Sequence, residues 1–150
     1  MAFLSSLDIS GSALTASRLR MDVISENIAN ATTTRTDTGG PYRRKMVVYR
    51  SADSYNQDSF HSILNNTINS DSNAPGGVKV EAIVEDQTPF TTVYDPSHPD
   101  ADANGYVQMP NVDITKETLD MMAVTRAYSA NINAFNAVKN MASKALEIGK

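Results

Sequence analysis

The chain has 150 residues, no cysteine, no tryptophan and a formal net charge of −4. That length suits one domain or two small pieces. The negative balance argues against a nucleic-acid binder, which presents a basic face. The lack of cysteine removes disulfides, thiolate metal sites and a cysteine nucleophile.

Aromatic residues make up 7%, so the middle of the chain buries little. No apolar run approaches the ~18 residues of a membrane-spanning helix. The N-terminus, from Met1 to Asp8, lacks a basic region followed by a long apolar one. This points away from a cleavable secretory signal, so a protein working outside the cytoplasm would leave by another route.

In chain order, Phe3, Leu7, Ser10, Leu14, Ser17, Met21, Ile24, Ile28 and Ala31 recur in steps of four and three. This is a heptad seam with Ser at two of its d positions, and it predicts a helix. The helix is expected to begin near Ser5 to Asp8 and to fade after Ala31. There Thr32, Thr33 and Thr34 are β-branched and continue a helix poorly. Asp37 to Pro41 is a turn signal. Residues 43–50 read as a strand, because Met46, Val47, Val48 and Tyr49 are β-prone. Arg43, Arg44 and Lys45 form the only basic run, expected to be a solvated strand end rather than a phosphate site.

Residues 51–77 are rich in Ser, Asn and Asp, with one apolar patch at Phe60, Ile63 and Leu64. They are expected to be flexible. Val78, Val80, Ala82 and Val84 alternate, so 78–86 reads as a strand with one apolar face. A short strand is expected at 91–94, then a turn-rich stretch at 95–104. Gly105, Tyr106 and Val107 lead to Pro110, which closes the extended part.

Residues 111–150 carry a second seam: Ile114, Met121, Tyr128, Phe135 and Ala142, with Val124, Asn131, Val138 and Ala145. Nothing between Asn111 and Ile148 breaks a helix. Asp113 or Thr115 is the candidate cap, and Glu117 sits in the first turn, where a negative charge suits the dipole. At ~1.5 Å per residue this helix is roughly 50 Å long and needs cover. Its partner is expected to be the first helix, parallel or antiparallel. Periodicity alone leaves a closed bundle and an assembly surface equally open.

The expected fold class is therefore α+β. Long N- and C-terminal helices pair as a coiled-coil-like bundle, with a small β-rich, loop-containing insert between them. The expected segments are 1–34, 35–110 and 111–150.

Little here carries chemistry. Asp100, Asp102, Asn104 and Gly105 resemble the first half of a calcium loop. The twelfth position, which needs a bidentate Glu, is Asn111, so a rigid turn is the expected role. His98 stands among Asp95, Asp100 and Asp102, while His61 is far away in sequence. No phosphate-binding loop, nucleophile elbow or zinc pair is present. The expectation is a protein that is not an enzyme and has no metal or cofactor.

Three stretches carry a resemblance. Ser25-Glu26-Asn27-Ile28-Ala29-Asn30-Ala31-Thr32-Thr33 resembles the N-terminal signature of the flagellar axial rod and hook proteins. Pro110-Asn111-Val112-Asp113, then Met121-Met122 and Arg126 to Asn131, resembles their C-terminal signature. Tyr94 to Val107 is similar to the proximal-rod subunit in particular. Residues 115–120 depart from the usual Glu-Met-rich form.

The resemblance implies a structural subunit of the bacterial flagellar basal body, part of the proximal rod around the export channel. It implies copies of itself and other rod subunits as partners. Rod-base adaptor and membrane-ring proteins are implied at the proximal end, and the flagellar type III export apparatus as the route out. No nucleic acid and no membrane insertion are implied. The runner-up from the residues is a soluble chaperone-like or regulatory helical binding module.

Candidate helix-interface residues are Leu7, Leu14, Met21, Ile24, Asn27, Ile28 and Asn30 in the first helix. In the last they are Met121, Val124, Tyr128, Asn131, Phe135 and Val138. Asn27 and Asn131 lie in the matching stretches. A buried amide without a partner costs ~1–3 kcal/mol, so each is expected to hydrogen-bond across a helix interface or to a neighbour.

Overall fold

The structure, a computed structural model, describes residues 2–37, 39–52 and 76–148. Its elements are α1 (Ala2–Ala29), β1 (Lys45–Ser51), β2 (Val78–Glu85), β3 (Thr91–Tyr94), β4 (Tyr106–Met109) and α2 (Ile114–Ile148). This is the expected α+β class, with terminal helices packed on each other and a small β insert between them. Most of the section expected to be flexible lies outside the described residues, as do Phe60, His61, Ile63 and Leu64.

The helix boundaries follow local chemistry. α1 begins at Ala2, earlier than expected. The stretch from Ser5 to Asp8, where the helix was expected to begin, is already inside it, because no Gly or Pro interrupts the turn before it. After Ala29 the Asn30 N–H still reaches the Glu26 carbonyl at 3.1 Å, and the Thr33 N–H turns back to Asn30 at 3.1 Å. α2 is capped by Asp113, not Thr115. Its Oδ1 accepts the N–H groups of Thr115 at 2.9 Å and Lys116 at 3.3 Å, which satisfies orphan donors of the first turn.

β1 pairs with β2 and β3 with β4, each pair a two-stranded sheet. β1 starts later than residue 43. The Arg44 N–H is taken by the Asn111 side chain at 2.9 Å, although the Arg44 carbonyl still accepts from Asp86 at 2.8 Å. β3 and β4 run antiparallel with Thr91 opposite Met109 and Tyr94 opposite Tyr106. The apolar face expected of β2 is largely uncovered among the described residues: Val78, Ala82 and Val84 are exposed and Val80 is half-buried.

The chain divides into two compact units. One contains residues 1–18, 48–81 and 126–150. Within it the Ser12 hydroxyl accepts the Val78 N–H at 3.1 Å, Arg50 pairs with Glu81 at 3.0 Å, and the Ala52 N–H bonds the Gly77 carbonyl at 2.9 Å. The other contains residues 19–47 and 82–125. It holds Val23, Ile24, Tyr42, Val107 and Val124 as its buried hydrophobic residues. There α1 and α2 run antiparallel. The Thr125 hydroxyl lies 3.9 Å from Met21 Sδ and Asn27 meets Glu117 at 3.0 Å, so the numbers rise on one helix between these two contacts as they fall on the other; Arg20 faces Asp120 at 3.9 Å between them on α2.

Gly105 closes the β3–β4 connection at φ +77°, and a Cβ there would lie 2.9 Å from Tyr94 Cε2 and 3.1 Å from Pro96 Cγ. Tyr94 and Tyr106 pack edge to face at 5.2 Å beside it. The Gly105→Ala variant is expected to be destabilised by about 1–2 kcal/mol, from the left-handed backbone and the clash together. The urea midpoint checks it; an unchanged midpoint would show that the turn absorbs a Cβ freely.

Candidate functional site

The site grows from one side chain. Asn27 is 1% exposed near the end of α1. Its Nδ2 donates to the Lys45 carbonyl at 2.9 Å and to Glu117 Oε2 at 3.0 Å. Its Oδ1 accepts from the Tyr42 hydroxyl at 3.0 Å and the Lys45 N–H at 2.9 Å. An amide has two donors and two acceptor positions, so this one is fully used. The group ties α1, the start of β1 and the first turns of α2 together.

Glu117 is 0% exposed. A carboxylate so buried needs a cation and hydrogen bonds. Arg44 Nε donates to Glu117 Oε1 at 2.6 Å, while its terminal nitrogens face Asp86 and Asp120, each at 3.7 Å. Burial works against the Arg44 charge. The Glu117 hydrogen bond, with the charges of Glu117, Asp86 and Asp120, outweighs it and holds the guanidinium above its ordinary value. The Thr88 hydroxyl and N–H on Asp86, helped by Arg44, hold that carboxyl below its usual range.

Asn111 extends the network. It accepts the Arg44 N–H and donates to the carbonyls of Asp86 and Thr88, both at 3.2 Å. Lys45 pairs with Glu26 on α1. Arg43 stacks 4.4 Å from the Phe90 ring centroid and donates to the Asp86 carbonyl. The basic run is therefore not a solvated strand end. Arg44 has 24% side-chain exposure, because its planar fork suits the three carboxylates around it. No buried side-chain polar atom among the described residues lacks a partner.

Of the residues expected at the helix interface, Asn27, Ile24 and Val124 are buried. Leu7, Leu14, Met21, Ile28, Asn30, Met121, Tyr128, Asn131, Phe135 and Val138 are half-buried. Asn30 works locally: it donates to the Glu26 carbonyl at 2.9 Å and accepts the Thr33 hydroxyl at 3.2 Å. Asn131 makes no side-chain hydrogen bond among the described residues, so the expected cross-interface bond is found at Asn27 alone.

Sequence reasoning missed Arg44, Tyr42 and Glu117 as a cluster. One signal was available: Glu117 lies seven residues before Val124 and shares its seam position, where a charge implies a buried pair. The expected calcium-like turn is held by protein groups. Asp100 accepts the Thr34 hydroxyl at 2.8 Å, and the Asp102 side chain accepts the Ala103 N–H at 3.0 Å.

The model of the family described as "Flagella basal body rod protein" matches residues 7–35, which hold Asn27. The model described as "Flagellar basal body rod FlgEFG protein C-terminal" matches residues 103–148, which hold Glu117. The flagellar basal-body rod protein FlgC of Bacillus subtilis is 54% identical over 149 residues, 97% of each chain.

The chain belongs to the flagellar basal-body rod family.

Its counterpart in Salmonella typhimurium is 42% identical across 100% of both chains. That in Borreliella burgdorferi is 42% identical over 99% of this chain and 98% of its own. As a member of the rod family the chain is a structural rod subunit of the basal body and not an enzyme. This decides against the runner-up reading of a soluble chaperone-like or regulatory helical binding module. The joint at Asn27 and Glu117 joins the two stretches that the family models match.

Truncating Asn27 to Ala leaves Glu117, the Tyr42 hydroxyl and both Lys45 backbone groups short of a partner. A loss of about 3 kcal/mol or more is expected, read as a lower urea midpoint. Tyr42 gives a second test. Burial first, then the charges of Glu26, Glu117 and Glu85, push its hydroxyl up to about 12. With the folded value above the unfolded one, the stabilisation is full below pH ~10 and is lost as pH rises toward ~12. Tyr42→Phe should flatten the stability curve in that window; a curve that falls equally in both proteins would refute the assignment.

Proposed function

We propose that this rod subunit forms part of the proximal rod. This is the drive shaft that crosses the periplasm around the export channel and passes torque to the parts beyond. Its neighbours are copies of itself and other rod subunits, with rod-base adaptor and membrane-ring proteins at the proximal end. It reaches its place through the flagellar type III export apparatus rather than by a cleaved signal. Full-length similarity to rod proteins supports the reading.

The observation that carries it furthest lies on α2. Val124 is buried and Tyr128, Asn131, Phe135 and Val138 are half-buried along one stripe, while Ala127, Ala130, Ala134, Ala137 and Met141 line another that is exposed. A helix with two apolar stripes has one to spend on its own chain and one on a neighbour. A shaft needs contacts that repeat from subunit to subunit, and small alanines let helix backbones approach closely. Asn131, half-buried with no side-chain hydrogen bond among the described residues, is suited to set register in that assembly.

Placing a charge on the open stripe separates folding from assembly. Ala130→Glu and Ala134→Glu are expected to shift stability by no more than about 0.5 kcal/mol, since both sites are exposed. In a strain lacking the native subunit they should abolish motility while the subunit is still exported. Full motility with both charges present would exclude this face from the rod contacts.

A further inference from the structure

One asparagine of the sequence is followed by glycine: Asn104, in the connection between β3 and β4. Such a pair carries its own chemistry. Glycine has no side chain to keep its backbone nitrogen away from the asparagine amide carbon, and every other asparagine here precedes a bulkier residue. The turn needs that glycine, because residue 105 takes φ +77°, a left-handed backbone. Asn104 is exposed, and its side chain makes no hydrogen bond among the described residues. The Gly105 nitrogen is the opposite case. Its N–H donates to the Asp102 carbonyl at 2.8 Å, and the Gly105 carbonyl accepts the Asp95 N–H at 2.9 Å. Tyr94 and Pro96 crowd its Cα, where a Cβ would come within 2.9 Å and 3.1 Å of them. A free amide thus stands beside a nucleophile that is tied down and covered.

We propose that Asn104–Gly105 is a deamidation site that the folded turn holds closed, so that residue 104 is altered only when the turn opens and records the time spent open. The reaction joins the Gly105 nitrogen to Asn104 Cγ. The Cγ–Nδ2 bond breaks, and Nδ2 leaves as ammonia with the proton that the Gly105 nitrogen gives up. Water then opens the five-membered succinimide. Cleavage at Cγ leaves aspartate; cleavage at the main-chain carbonyl leaves isoaspartate, whose chain runs on through Cγ. Attack needs a nitrogen that sheds its proton and swings to Cγ, and a backbone N–H bonded within a tight turn does neither. The rate in the folded chain is therefore set by the fraction of time that the turn is open. Isoaspartate adds a carbon to the backbone between residues 102 and 105, so a chain altered while open no longer closes the hydrogen bond between them. The chemistry belongs to the chain itself and stands apart from the proximal-rod proposal.

Ageing the purified full chain in mildly alkaline buffer, with and without denaturing guanidinium chloride, tests it. Peptide mass mapping follows the loss of Asn104, and enzymatic methylation counts the isoaspartate formed there. Deamidation at 104 is expected to be roughly tenfold or more slower in the folded chain than in denaturant. Tyr94→Ala uncovers Gly105 and removes the edge-to-face pair with Tyr106. It should speed the reaction without denaturant and leave the rate in denaturant unchanged, since residues 104 and 105 are untouched. Equal rates with and without denaturant in the native chain overturn the proposal. So does an Asn104 that stays unmodified in denaturant, or a Tyr94→Ala chain that ages no faster than the native one in buffer.

Discussion

A carboxylate with no solvent must be paired, and Glu117 is 0% exposed in the first turn of α2. An unpaired charge there costs several kcal/mol, so Arg44 and Asn27 have to be in place for α2 to dock. That requirement reaches outward. Arg44 stands immediately before β1, and Asn27 holds both backbone groups of Lys45, the first residue of that strand. The sheet therefore begins where the helices cross. A two-stranded ribbon has too little core to be stable alone, and here it inherits its order from the joint.

The same arrangement explains how a chain poor in aromatics holds a defined core. Val23, Ile24, Val107 and Val124 are modest hydrophobes, each contributing about 1.5–3 kcal/mol when fully buried. Directional bonds around Asn27 and Glu117 add geometry that such a small core does not provide. A buried polar network specifies a single arrangement only when every member is satisfied, as this one is among the described residues.

The exposed stripe on α2 belongs to the next level of structure. Met122, Met141, Leu119 and Leu146 are 49%, 61%, 61% and 76% exposed. Such surface is what the proposed contacts with neighbouring subunits would use. Contiguous exposed apolar surface on a helix is the usual mark of a protein contact. The family's two matched stretches are the helices that carry these surfaces and also the joint that braces them.

The two helices, their seams and most strands were legible in the sequence, because periodicity of 3.5 to 3.6 and of 2 records which face is buried. The turn at Gly105 and the end of α1 at the threonines were legible too, since backbone sterics are local. The family followed from three short stretches in order. The joint was not legible, because Asn27 and Glu117 are 90 residues apart and no local rule pairs them. The basic run at 43–45 reads as solvated until the three carboxylates around Arg44 are placed, and Glu117 reads as a helix-dipole charge until it is buried. The antiparallel sense of the helices was likewise decided by tertiary structure. Heptad seams fit either sense, and it is the pairing of specific polar groups across the crossing that selects one.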